Sequence, residues 1–150
     1  MEQCRKLNWL IYLMKMNNLQ RNEKIKEIIR FYLNKYGNKQ IIVINKMAII
    51  CTSLHFIESL NHFYEEDDDF GGLEGYIFSN NLDEDDEEYD GKNTITFYNY
   101  VSEKEEQVLT YKEFYEYLKI ACNFYIELYP EQKKEVLDIL EKIKEKYLSE

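Results

Sequence analysis

Three apolar stripes at helical spacing, enclosing a stretch of β-branched and aromatic residues, most strongly limit what this chain can fold into. Apolar residues at i, i+3, i+4 and i+7 share one face of a helix, and that face packs on a core. Helices at both ends of a strand-rich middle predict an α+β fold. The stripes comprise Ile25, Ile28, Ile29, Tyr32, Leu33 and Tyr36; Tyr111, Phe114, Leu118, Ala121, Cys122 and Tyr125; and Val136, Leu137, Leu140, Ile143 and Tyr147.

Local signals indicate where these helices begin and end. Gly37 follows the first stripe, in the place of a left-handed C-cap residue. Thr110 with Glu113 three residues later forms a capping box, which predicts that the second helix begins there. Pro130 suits the first turn of the last helix because proline needs no backbone donor at that position.

Further helices are indicated by weaker patterns. Apolar residues within 7–14 keep helical spacing, and a helical pattern runs from Ala48 to Tyr64. In this second pattern the expected core contacts are Leu54, Ile57 and Tyr64. The β-branched run Ile41–Ile44 fits either a buried strand or the start of a helix, and periodicity does not decide between them.

Strand signals occupy the middle of the chain. Gly75–Phe78, Asn93–Tyr100 and Gln107–Leu109 are rich in β-branched and aromatic residues. The acidic run Asp83–Asp90 between the first two repels itself and is predicted to be a loop. We therefore expect one α+β domain over residues 1–150, with four or five helices packed on a small, mostly antiparallel sheet of about three strands and with acidic loops.

Charge is distributed very unevenly. Residues 1–46 hold ten Lys and Arg against three Asp and Glu, whereas residues 47–91 hold fourteen Asp and Glu and no Lys or Arg. Such asymmetry carries information about partners more than about fold. The role of the basic, helical segment 1–45 stays open. Nucleic acid is not an expected partner, because the rest of the chain repels phosphate.

Three cysteines, Cys4, Cys51 and Cys122, are scattered and odd in number, which is typical of reduced thiols in a cytosolic protein. No apolar run approaches the length that spans a bilayer. The apolar start of the chain lacks the small-residue cleavage pattern of a signal peptide. We therefore expect a cytoplasmic protein with no membrane partner.

Metal and catalytic sites are not expected from the motifs. An EF-hand reading of the acidic run that puts Gly91 at the sixth loop position places Phe97 where a bidentate carboxylate is required. His55 and His62, with Glu58 between them, share a helix face but lack further zinc ligands, so two partly buried structural histidines are expected. Cys51 and His55 would form a nucleophile pair only with an oxyanion-binding loop, which is absent. No cofactor is predicted.

The segment from Val108 to Cys122, continuing to Tyr129–Glu131, resembles the C-terminal part of immunity proteins of bacterial contact-dependent growth inhibition systems, of the ribonuclease-toxin type. In that family a strand precedes a helix of this Tyr- and Glu-rich kind, and an acidic section lies upstream, here residues 65–90. The resemblance covers the last two-thirds of the chain. It implies a non-enzymatic antitoxin whose partner is a cognate toxin domain, a ribonuclease.

The resemblance and the charge pattern together suggest that carboxylates cover the toxin's basic cleft while aromatic residues hold the complex. The alternatives are a small intracellular adaptor and a metal-dependent hydrolase that uses His55 and His62. A homodimer is also left open. The residues expected to bind the partner are Glu65, Glu66, Asp67, Asp68, Asp69, Tyr76, Phe78, Asp83, Glu84, Asp85, Asp86, Glu87, Glu88, Tyr89, Asp90 and Tyr98.

Overall fold

A computed structural model describes residues 18–149, in which five α-helices and a three-stranded antiparallel sheet form an α+β fold, as predicted. The predicted helix within 7–14 and Cys4 lie outside the described residues. The elements in chain order are α1 (Asn18–Tyr36), α2 (Ile41–Ile50), α3 (Phe56–Tyr64), β1 (Glu74–Phe78), β2 (Thr94–Asn99), β3 (Glu105–Thr110), α4 (Tyr111–Leu128) and α5 (Lys133–Leu148), with short 3-10 turns at Ser79–Asn81 and Pro130–Gln132.

The helix ends predicted at Gly37 and Thr110 are confirmed, whereas the last α-helix begins three residues after Pro130, at Lys133. Gly37 has φ +75°, and its N–H donates to Leu33 O at 2.8 Å, so it ends α1 as a left-handed cap. At the start of α4 the Thr110 side chain accepts from the Glu113 N–H, and the Glu113 carboxylate accepts from the Thr110 N–H. Pro130 stands at the first position of the 3-10 turn that leads into α5.

The run Ile41–Ile44, which the sequence left as either strand or helix, is helical and forms the first turn of α2. The first N–H groups of this helix, which have no partner within the helix, are satisfied from the sheet. Gln107 Oε1 accepts from the Ile42 and Val43 N–H groups at 2.9 and 3.2 Å. One β3 side chain therefore fixes where α2 begins.

The prediction of one continuous helix from Ala48 to Tyr64 is wrong. α2 ends at Ile50, α3 begins at Phe56, and a turn separates them. The hydroxyl of Thr52 donates to Ala48 O at 3.0 Å, and Ser53 Oγ accepts from the His55 N–H at 3.1 Å. Side-chain bonds of this kind compete with the helical ladder. As a result Leu54, expected in the core, is 51% exposed.

The sheet has the order β1-β2-β3, and both pairs are antiparallel. Its core face carries the pairs Tyr76–Phe97 and Phe78–Ile95, and Leu109 lies opposite Ile95 on β3. Helices α2 and α4 pack on this face. The outer face carries Thr96 and Val108, which lie opposite one another.

The stripes of α4 and α5 fill the core beneath the sheet. All six predicted positions of α4 are buried, and so are four of the five on α5; Leu137 is the exception, at 40% exposure. Cys51 and Cys122 are buried free thiols, and burial raises the pKa of Cys51 to about 12. Among the described helices, none is both long and apolar enough to span a bilayer.

Candidate functional site

The two acidic segments of the sequence have different structural roles. We call residues 65–69 the edge segment and residues 83–90 the acidic loop. The edge segment follows α3 and runs beside β1, where Asp69 and Tyr76 exchange backbone hydrogen bonds of 2.9 and 3.0 Å. The acidic loop connects the 3-10 turn after β1 to β2.

Most carboxylates of the edge segment have partners inside the protein. The Glu66 carboxylate accepts from the Tyr111 hydroxyl and pairs with Lys146 Nζ at 3.4 Å. Asp68 Oδ1 accepts from the Asn81 amide at 3.0 Å, and Asp69 pairs with Lys46 at 3.2 Å. Glu66 is a non-glycine residue at φ 56°, so these contacts hold an uncommon backbone conformation in place.

Asp67 belongs to a small charged groove with the two histidines. Its carboxylate lies 3.1 Å from His62 Nδ1, and Glu58 lies 3.2 Å from His55 Nδ1 and 3.9 Å from His62 Nε2. The histidines do share a face with Glu58, as predicted. They are exposed, however, and the expectation of partly buried histidines is wrong. Within residues 18–149, no group of three or more His, Cys, Asp or Glu side chains is arranged to hold a metal ion.

Cys51 and His55 do not share a helix, because the chain turns between them. The Cys51 thiol is buried and directed at Ala48 O, 3.7 Å away, while the His55 side chain is 75% exposed. The nucleophile pair considered from their spacing therefore has no structural basis.

The acidic loop presents carboxylates that have no partner within the described residues. Two of its acids do have internal bonds: Asp86 Oδ2 accepts from the Asp83 N–H at 2.9 Å, and Asp90 accepts from the Thr96 hydroxyl at 2.8 Å. The first bond lies within the loop, and the second ties the end of the loop to Thr96 on the outer face of the sheet. Five exposed side chains make no hydrogen bond or ion pair in the part of the chain that is described, namely Asp83, Glu84, Asp85, Glu87 and Glu88.

The predicted aromatic anchors are placed differently. Tyr76, Phe78 and Tyr98 are buried, with 6%, 0% and 2% of their surface exposed. Tyr76 and Phe78 face the helices, while Tyr98 lies on the outer face against Phe70 and Tyr100, with ring centroids 6.2 and 4.9 Å apart. The folded protein does not offer these three rings to a partner. Tyr89, in the acidic loop, is half-buried.

Sequence reasoning missed an exposed apolar group around Tyr98. Phe70, Leu73 and Val101 are 73%, 64% and 64% exposed, and Tyr100 is 36% exposed. These residues come from two separate turns, and only the strand register brings the turns together. The one available signal was the presence of large apolar residues inside turn segments.

Comparison with curated proteins yields no match, and comparison with solved structures yields none either. A family model described as CDI immunity protein matches residues 25–140. The matched segment takes in α2 to α4, all three strands, both acidic segments, most of α1 and the first half of α5. Since the match covers well over half of the chain, the protein belongs to the family of CDI immunity proteins, which act in contact-dependent growth inhibition.

Proposed function

We propose that this immunity protein neutralises a ribonuclease toxin by laying its acidic loop across the toxin's basic active-site cleft. Family membership implies immunity to a cognate toxin as the general function. The observation that carries the finer proposal is the set of five exposed, unpaired carboxylates on one short loop between Asp83 and Glu88.

Concentrated charge of one sign has a cost in folding, because the carboxylates repel one another. In the edge segment that repulsion is offset by hydrogen bonds and by Lys46 and Lys146. The acidic loop has no such compensation within the described residues. A cationic partner would supply it, and a cleft that binds RNA phosphates is a cationic surface of the required kind.

The carboxylates would act at two stages of binding, in the encounter and in the final complex. Unpaired, exposed carboxylates steer a basic partner to the loop and raise the association rate. Once seated, they occupy the positions of RNA phosphates and exclude the substrate. The exposed carboxylates of Glu65 and Asp67 in the edge segment would extend the same field. Neutralisation then needs no chemical step by the immunity protein itself.

The test is protection against the cognate toxin domain, whose gene we expect immediately upstream of this one. Cells that express that domain should stop growing and degrade RNA, and co-expression of this protein should restore growth. Purified protein at equimolar concentration should inhibit RNA cleavage by the same domain, whereas an unrelated ribonuclease stays active. A toxin domain that loses no activity when this protein is present would contradict the proposal. A domain that cleaves another substrate but is still neutralised would overturn the ribonuclease assignment alone.

A further inference from the structure

An apolar patch lies at one end of the sheet, where two neighbouring turns meet. It consists of Phe70, Leu73, Tyr100 and Val101, and three of these side chains are more than 60% exposed. Single exposed apolar residues are normal on a protein surface, but a contiguous group marks a contact site. We call these four residues the apolar patch.

Specific contacts fix the patch in place. The Tyr100 N–H donates to Leu73 O at 2.7 Å, which extends the β1–β2 ladder one residue beyond the pair Glu74–Asn99. The Tyr98 ring lies between Phe70 and Tyr100, with centroid distances of 6.2 and 4.9 Å. The patch therefore rests on a buried ring and on the sheet backbone. Because it is preorganised, little ordering entropy is lost when a partner binds.

The patch is bordered by negative charge. The Tyr100 hydroxyl donates to Glu106 Oε1 at 2.5 Å, and this bond is the main reason that the pKa of Tyr100 is raised to about 12. The charge of Glu88 contributes to the same rise, so a carboxylate of the acidic loop also acts on Tyr100. A cation near Tyr100 would meet both an aromatic ring and carboxylates.

A cation of the protein itself already uses this arrangement. Lys104 Nζ lies 6.0 Å from the Tyr100 ring centroid and 3.9 Å from Glu106 Oε1. The Lys104 side chain is 77% exposed and its ion pair is long. Exposed pairs of this kind contribute little stability, so a better placed cation can displace it. Arginine suits such a site because its planar group stacks on a ring and binds carboxylates through two N–H groups.

We infer that the apolar patch is a second contact region for the toxin, and that it receives a basic toxin surface in which an arginine or lysine stands beside apolar side chains. This inference rests on the proposed function, since the partner is the same toxin. The incoming cation takes the place of Lys104 on Tyr100 and Glu106. Phe70, Leu73 and Val101 cover the apolar neighbours of that cation.

Charge complementarity selects this occupant over a second copy of this chain. A second copy of this chain would bring its own acidic loop against Glu88 and Glu106, and like charges placed together disfavour association. In the resulting complex the acidic loop sets the rate of encounter, while the patch sets the lifetime. Buried aromatic contacts govern dissociation more than association.

The experiment measures binding kinetics with an inactivated form of the toxin domain encoded upstream. The test variant is Phe70→Ser with Val101→Ser. The matched control is Leu54→Ser with Leu137→Ser, which removes two exposed apolar side chains from other elements. We expect the test variant to dissociate at least about tenfold faster, with an unchanged association rate and salt dependence. The control should match the unsubstituted protein.

Two single variants sharpen the result. Tyr100→Ala should speed dissociation as well, whereas Lys104→Ala should leave it unchanged or slow it, because the displaced cation is gone. Circular dichroism and thermal unfolding verify that all variants are folded. If the double patch variant and Tyr100→Ala both dissociate at the original rate while the unsubstituted protein binds, the inference is wrong and the proposed function stands. If the unsubstituted protein fails to bind at all, the proposed function fails, and this inference with it.

Discussion

Asp68 Oδ1 accepts a hydrogen bond of 2.8 Å from the backbone N–H of Phe78, so a carboxylate from the edge segment completes the free edge of β1. Beside it, Asp69 pairs with Tyr76 through two backbone bonds. Unpaired edges of sheets invite association with other chains, and charged residues or covering segments prevent it. The edge segment provides both kinds of protection, which gives part of the acidic sequence a structural purpose.

Replacing Gly75 with Ala should destabilise the protein. A Cβ at this position would lie 2.0 Å from Asp69 O and 2.9 Å from the Tyr98 hydroxyl, so the edge segment would have to separate from β1. We expect a loss of about 1–3 kcal/mol in the free energy of unfolding, as for other overpacked sites. The measurement is urea unfolding followed by circular dichroism.

Gly72→Ala is the control for that variant. Its Cβ would meet no atom closer than Glu74 O at 3.7 Å, an ordinary contact, so stability should stay nearly unchanged. Equal stability of the two variants would show that the edge segment does not pack on β1 in the way described.

Glu66→Gln should weaken the attachment of the edge segment to α4 and α5. The Glu66 carboxylate accepts from Tyr111 and pairs with Lys146, and its side chain is only 20% exposed. Hydrogen bonds to charged groups contribute about 1.5–3 kcal/mol when partly shielded, so a loss at the lower end of that range is expected. Glu65→Gln, an exposed neighbour with no partner in the described chain, serves as control and should change stability by less than about 0.5 kcal/mol. Similar losses in both would contradict a structural role for Glu66.

The protein should lose stability as pH rises above about 10, the usual pKa of an unfolded tyrosine. Burial raises the pKa of Tyr32, Tyr111 and Tyr147 in the folded state. Their stabilising effect is complete below the unfolded pKa and is lost as pH rises, because only the unfolded chain releases the protons. Each such tyrosine steepens the fall by about 1.4 kcal/mol per pH unit.

Tyr32→Phe isolates one of these groups, since the Tyr32 hydroxyl donates to Tyr117 O at 2.6 Å inside the core. Its unfolding free energy should fall less steeply with pH, by one proton's contribution. Titration of every tyrosine near pH 10 in the folded protein, followed by near-ultraviolet absorbance, would be inconsistent with their burial.

The helices were predictable from sequence because their signals are local. The stripe of α4 and the pairing of Thr110 with Glu113 both lie within a few turns of chain, and both are confirmed. The break between α2 and α3 was not predictable in this way. It depends on Thr52 and Ser53 side chains that compete with the helical ladder, a small balance that apolar spacing does not report.

At the candidate site, sequence alone did not predict which aromatic side chains are exposed. Tyr76, Phe78 and Tyr98 were expected at the surface because they stand near acidic runs, yet all three are buried. Alternation places residues on two faces of a strand but does not tell which face is covered. Here the helices cover one face, while Phe70 and Tyr100 cover Tyr98 on the other. The burial of these three rings therefore depends on packing between segments that are distant in the sequence.

Salt-dependent binding kinetics of a charge variant test the central claim most directly. The variant Asp85→Asn, Glu87→Gln, Glu88→Gln removes three unpaired carboxylates of the acidic loop and keeps Asp86, whose side chain bonds within the loop. The control Glu127→Gln, Glu135→Gln, Asp138→Asn removes the same charge from exposed positions on α4 and α5. Both sets therefore alter the net charge equally.

Association with the inactivated upstream-encoded toxin domain should be about tenfold slower for the loop variant at low salt, and the difference should shrink as salt screens the charges. The control should associate at nearly the original rate. If the loop variant associates as fast as the unsubstituted protein, and salt leaves both rates unchanged, the acidic loop is not the surface that meets the toxin.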